Sequence, residues 1–280
     1  MSNTERKLPI GIQDFEKIRN EGYIYVDKTE HIYSLVHSGA PFFLSRPRRF
    51  GKSLFLSTLK AYFEGKKELF EGLKIIELEA ENEDAWQEYP VFYIDFNKKN
   101  FKEDSALETV LDEHLRSWEA TYGDERSDRS LEERFRYCIE RAVEITGKNA
   151  VVLVDEYDKP LLEGADEAMV EHNKAVFKGF FSTLKSYDRY LKFVFITGVT
   201  KFSKVSIFSD LNQLRDISLS AEYAEICGIT ETEIKENFAP EVQIMSRALG
   251  IEEDECLSKL KRMYDGYHFH QGAKGVYNPF

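Results

Sequence analysis

The sequence predicts an α/β fold, a parallel sheet with helices on both faces, and three observations carry that expectation. Apolar, β-branched or aromatic runs of strand length recur at 41–45, 91–96, 150–154, 192–197 and 224–228. Between them, apolar residues return every three or four positions, over 51–64, 106–122, 131–146 and 168–187. Strands alternating with helices of this length call for a sheet buried on both sides. The third observation is chemical. The first strand run leads into Arg46-Pro-Arg-Arg-Phe-Gly-Lys-Ser53, and the third leads into Asp155-Glu156.

The strand at 41–45 feeds a turn and then a helix carrying Leu54, Phe55, Thr58, Leu59 and Phe63 at helical spacing. A phosphate-binding loop needs that context: a strand, a tight turn, and a helix N-terminus facing the anion. Gly51 lets the backbone approach, Lys52 reaches the β- and γ-phosphates, and Ser53 ligates Mg²⁺. Arg48, Arg49, Phe50 and Leu54 complete the expected nucleotide contacts. The usual pattern opens with Gly, where this chain has Arg46, and Pro47 removes one N–H donor. Arginine charge is expected to replace the missing amide in part.

At the end of the run 151–154, Asp155 is positioned to hold Mg²⁺ and Glu156 to orient or deprotonate the attacking water. Asp158 either caps the next turn or supports the site. The strand at 192–197 ends in Thr197-Gly-Val-Thr200. Thr197 is the first choice for a side chain that senses the γ-phosphate and Thr200 the second; each is alternatively a turn cap. Arg215 is a candidate charge-stabilising arginine, or else a solvated or salt-bridged surface residue. Helix starts are expected at Asp27-Lys-Thr-Glu30 and Thr230-Glu-Thr-Glu233, which fit a capping box. Tyr23 or Tyr25 would stack on a base or be buried under a helix. His268 and His270 lack a third ligand nearby and make a poor metal site.

The chain has 280 residues, enough for a sizeable core, and a net charge of −12, which argues against a surface that coats nucleic acid. No apolar run reaches bilayer length and the first residues lack a signal-peptide core, so no membrane partner is expected. Three scattered cysteines in no Cys-x-x-Cys pair fit a reducing cytoplasm.

Together these segments resemble the bacterial AAA-ATPase-like family. The resemblance rests on Leu8-Pro-Ile-Gly-Ile-Gln-Asp-Phe15, Tyr25-Val-Asp-Lys-Thr29, the loop 46–53 and Val154-Asp-Glu-Tyr-Asp158. It extends to Ile196-Thr-Gly-Val-Thr-Lys-Phe202, Phe208-Ser-Asp-Leu-Asn212 and Tyr264-Asp-Gly-Tyr267. The resemblance implies a three-layer P-loop NTPase related to archaeal-type and STAND ATPases, with strand order 5-1-4-3-2. It implies ATP and Mg²⁺ as ligands and ATP hydrolysis as the activity. A nucleotide-loaded switch or scaffold is the alternative, as is the ATPase module of a DNA-processing protein. Relatives often work as oligomers and commonly carry a PD-(D/E)XK nuclease-like domain after the ATPase, so a homo-oligomer and DNA are the partners it suggests. The expected division is an ATPase core over 1–220, then 221–280 as the last core strand and the start of a helical lid or winged-helix-like region, apparently cut short.

Overall fold

The computed structural model describes residues 6–103, 105–200 and 214–279. The family-like residues 201–202 and 208–212 lie outside the described residues. Two helices, α1 (Phe15–Asn20) and α2 (Thr29–Ser38), precede β1 (Phe42–Ser45) and α3 (Lys52–Phe63). Next come α4 (Lys74–Leu78), β2 (Val91–Asp95), α5 (Ala106–Tyr122), α6 (Leu131–Thr146) and β3 (Ala150–Asp155). The chain continues through α7 (Lys159–Leu162), α8 (Glu167–Ser186), β4 (Leu191–Gly198) and β5 (Arg215–Asp216).

These strands form one five-stranded sheet in the order β2-β3-β4-β1-β5, every pairing parallel. Counted from β5, that is the expected 5-1-4-3-2. Side chains alternate between the two faces, as the pleat requires. Phe43, Val152, Val154, Val194 and Ile196 pack with residues of α5, α6 and α8. Phe42, Leu44, Val151, Leu153, Phe193 and Phe195 pack with residues of α1, α2 and α3. The result is three layers, with the strands' C-terminal ends together on one edge.

The helices at 106–122 and 131–146 fall where the apolar period puts them. Ser130 and Glu133 close a reciprocal capping box on α6, and Gly147 ends it in the left-handed conformation. The expected box at Asp27–Glu30 does not form. Asp27 Oδ1 instead accepts from the Thr29 backbone N–H and hydroxyl, while Oδ2 accepts from the Lys74 N–H at the start of α4. Glu30 pairs with Lys74 at 3.0 Å, so both acids tie α2 to α4.

The fifth strand is a correction. Residues 224–228 form a turn, not a strand. Ala224, Ile226 and Cys227 are apolar because they are buried, and Gly228 turns the chain at φ +84°. The strand is Arg215–Asp216, two exposed charged residues with no hydropathic signal. It is fixed by Arg215 N–H donating to Pro41 O (2.8 Å) and Ile217 N–H to Phe43 O (3.0 Å).

Beyond it the chain builds β6 (Ile229–Thr230), α9 (Glu231–Asn237), α10 (Ala239–Leu249), α11 (Glu253–Tyr264), β7 (Asp265–Tyr267) and β8 (Val276–Tyr277). The expected box at Thr230 and Glu233 caps α9. Antiparallel pairing gives a second sheet, β6-β8-β7, over a small core of Ile234, Val242, Cys256 and Tyr277. No helix among the described residues is long and apolar enough to cross a membrane.

Candidate functional site

The strand order puts β4 between β1 and β3, so three loop-bearing strand ends converge at the C-terminal edge. This crevice is where open α/β sheets bind ligands. Residues 46–51 leave β1 in a tight turn. Gly51 takes φ +95°, and Arg49 is held at φ +64°, a region non-glycine residues seldom occupy. α3 then starts at Lys52, its N-terminal N–H groups facing the loop.

Lys52 is buried, and its ammonium donates to the carbonyls of Arg46 (3.0 Å) and Pro47 (3.1 Å). It therefore lies across the loop it would share with phosphate. Next in sequence, the Ser53 hydroxyl lies close enough to the Asp155 carboxylate to favour its ionised form. Asp155, 1% exposed, accepts from the Thr197 hydroxyl at 2.6 Å. Burial nevertheless leaves the Asp155 carboxyl above its ordinary pKa, with the two hydroxyls pulling the other way and neighbouring Asp95 adding repulsion. Glu156 sits at φ +50°, its N–H donating to Thr197 Oγ1 at 3.3 Å. Burial raises its pKa as well, opposed by the Lys52 and Arg48 charges. An acid pair, one member buried and the other half-buried, whose pKa values both rise despite the nearby cations is short of positive charge.

The turn after β4 is locked from beneath. Asp158 accepts from the Val199 N–H (3.0 Å) and from the Thr200 N–H and hydroxyl (both 2.6 Å). Thr200 is thus committed to Asp158, which supports the site by fixing this turn; of the two threonines, only Thr197 meets Asp155. A Cβ on Gly198 would lie 2.5 Å from Tyr157 Cε1 and 2.9 Å from Asp158 Oδ1. Tyr157 is fully buried with its ring edge-on to Phe43, so it has little room to yield. Gly198→Ala should destabilise the fold by about 1–3 kcal/mol through overpacking. A denaturant midpoint equal to wild type would contradict that.

Arg46 is not where the sequence suggested, and Arg215 takes the salt-bridged surface role that was its alternative. Arg46 does not add charge to the cradle. Its guanidinium is 1% exposed and donates to the carbonyls of Ser45 (2.9 Å), Ser218 (2.7 Å) and Tyr223 (2.9 Å). Desolvation lowers its pKa to about 10. The side chain turns into the protein because unpaired carbonyls await it there. Arg215 pairs in register with Phe42, at the N-terminal end of β1, and reaches Glu222 at 3.7 Å. It sits at the sheet end opposite the loop, as a half-exposed ion-paired residue. Arg48 and Arg49 are exposed on the loop, and Phe50 is buried beneath it.

A cleft of about 640 Å³ runs from this edge between the N-terminal segment and the C-terminal helices. Arg49, Phe50, Gly51, Lys52, Ser53, Leu54 and Glu156 belong to its lining, together with apolar side chains that include Ile12, Tyr25, Ile226, Phe238 and Val242. That size and make-up, mostly apolar with a few convergent polar groups, are those of a small-molecule site. Of Tyr23 and Tyr25, Tyr25 lines the cleft, its ring 5.1 Å from Phe15 and its hydroxyl 3.4 Å from that of Thr58. Tyr23 lies under the Lys7 ammonium instead.

Sequence reasoning missed the apolar wall from 226–242, because its spacing is that of an ordinary core. It also missed Asp95, which ends β2 in register with Asp155. An acid closing the neighbouring strand run was the available signal. Among the described residues no group of three or more His, Cys, Asp or Glu could hold a metal. The donor set present, one carboxylate and one hydroxyl, fits a cation that takes few oxygen ligands from protein and the rest from phosphate and water, as Mg²⁺ does.

The fold and site define an α/β protein with a phosphate-loop-like turn and an acid pair at adjoining strand ends. The family model described as "Predicted AAA-ATPase" matches residues 9–208, and the chain belongs to that family. Nucleotide binding is the property this membership supports. The chain is also 39% identical, over 99% of its length, to a protein of Azotobacter chroococcum mcd 1 described as "Uncharacterized protein in vnfD 5'region". It spans 51% of that relative. No solved structure matches the chain significantly.

Proposed function

We propose that this chain binds ATP with Mg²⁺ and hydrolyses it, as a three-layer P-loop ATPase of the additional-strand class. The observation that carries the reading is that Lys52, Ser53 and Glu156 line a mostly apolar cleft, with buried Thr197 beside them bonded to Asp155 and to the Glu156 backbone. The apolar lining suits a nucleoside and the loop its phosphates. Lys52 would exchange its two carbonyl partners for phosphate oxygens. Ser53 and Asp155 would hold the metal, which when bound supplies charge neutralisation on the phosphates. Glu156 would take the proton of the attacking water, and Thr197 would keep Asp155 and the Glu156 backbone in register. Arg48 and Arg49, at the exposed crest of the loop, would face the remaining phosphate charge. We divide the chain near residue 220, the core before it and a lid-like unit after it that closes the cleft.

Calorimetry of Mg-ATP binding with phosphate release tests this. Lys52→Ala should weaken binding by roughly 10–100-fold, since it removes charge-assisted hydrogen bonds worth about 1.5–3 kcal/mol. Equal affinity in wild type and variant would remove Lys52 from the site and with it the reading.

One observation favours a slow, switch-like ATPase. Arg215 lies off the site, so the one arginine singled out for transition-state charge does not serve it within this chain. Turnover per molecule that climbs with protein concentration would mean a neighbouring copy supplies it; turnover flat and slow at every concentration would favour the switch.

A further inference from the structure

Both ends of the phosphate loop are held by the C-terminal sheet. At the first position, the Arg46 guanidinium lies over the Phe269 ring, its carbon 3.8 Å from the ring centre. Its two terminal nitrogens donate to the Ser45, Ser218 and Tyr223 carbonyls. At the far end, the buried Phe50 ring meets Tyr267 edge-on at 4.8 Å and Phe269 at 5.5 Å. The Phe50 carbonyl accepts from the Gly228 N–H at 3.1 Å, one residue before β6. Close approach there depends on glycine: a Cβ at 228 would fall 2.7 Å from Phe50 Cε1. Tyr267 ends β7 and Phe269 belongs to the connection between β7 and β8.

Lys52 is held by the carbonyls of Arg46 and Pro47, the bonds that phosphate would replace. An anion that draws Lys52 off those carbonyls therefore acts on the residue whose side chain lies over Phe269.

We infer that the hairpin spanning 265–277 is a positioning element for the phosphate loop, acting through Arg46 and Phe50, so that loop occupancy and hairpin order are thermodynamically linked. This rests on the nucleotide reading of the site only for the identity of the anion. Linkage is reciprocal: what steadies the hairpin tightens the loop's ligand, and the ligand steadies the hairpin. An arginine where such loops usually have glycine then has a use. Its backbone N–H donates to the Gly198 carbonyl at 3.1 Å, and its side chain gives the loop a handle on the second sheet.

Hydrogen exchange decides this in two arms. In nucleotide-free protein, Phe269→Ala should speed exchange of amides 48–53 by about tenfold, the scale of one desolvated cation–π contact, leaving β2 and β3 unchanged. Phe269→Tyr, which keeps the ring, should restore it. With saturating Mg-ATP, the wild-type hairpin should gain protection, and Phe269→Ala should bind Mg-ATP about tenfold more weakly. Unchanged loop exchange in Phe269→Ala overturns the inference whether or not nucleotide binds. Nucleotide binding by wild type with no change in the hairpin overturns the linkage. A wild-type protein that binds no Mg-ATP while its loop responds to Phe269→Ala sinks the nucleotide reading and leaves the positioning role standing.

Discussion

Glu156→Gln should bind Mg-ATP as wild type does while releasing phosphate about 10²–10⁴-fold more slowly, the usual worth of a positioned general base. Glutamine keeps the side chain's size and the strained backbone at φ +50°, and the backbone N–H bond to Thr197 is untouched. Only the basic oxygen is lost. The pH dependence has a definite sign. Burial raises the Glu156 pKa, so the base is protonated at pH values where an ordinary glutamate is ionised. Turnover should therefore rise with pH along a limb displaced above the ordinary glutamate range, and Glu156→Gln should abolish that limb. A wild-type limb at the ordinary position, or turnover retained in the variant, would take Glu156 out of the chemistry.

For Asp155→Asn two effects of opposite sign are expected. Mg²⁺-dependent turnover should fall by about 100-fold or more, since removing even an outer partner of a metal ligand costs about 10–100-fold. The nucleotide-free protein should at the same time become more stable at neutral pH, melting a few degrees higher. The Asp155 carboxyl is buried and its pKa is raised despite the Ser53 and Thr197 hydroxyls, so its ionised form is better accommodated in the unfolded chain. A carboxyl with a raised folded pKa contributes stability at acid pH that is lost as pH rises through the folded value. Wild type should lose that increment over this window, and Asp155→Asn should not. A lower melting temperature for the variant at pH 7 would mean that its hydroxyl partners outweigh the buried charge.

Much of the core was legible because its signals are local. Strands β1 to β4 and helices α3, α5, α6 and α8 carry their own hydrophobic period, and parallel alternation follows from it. The loop at 46–53 and the acids at 155–156 were legible because a turn and a strand end are set by neighbouring residues. β5 was not, because Arg215 and Asp216 pair with β1 through backbone groups alone and bring no apolar side chain. The turn at 224–228 read as a strand because burial, not extension, made it apolar.

The sequence by itself determined the layer order of the core and which short segments reach its C-terminal edge, since both follow from side-chain period and chain connectivity. Only the tertiary structure decided what those side chains face. Arg46 and Arg48 stand two residues apart in one basic run, yet one is buried against carbonyls from 218 and 223 and the other is exposed. Thr197 and Thr200 read alike, and partners more than 40 residues upstream separate them, Asp155 for one and Asp158 for the other. A charged or hydroxyl side chain takes whichever unpaired partner the fold presents, and those partners lie far away in the chain.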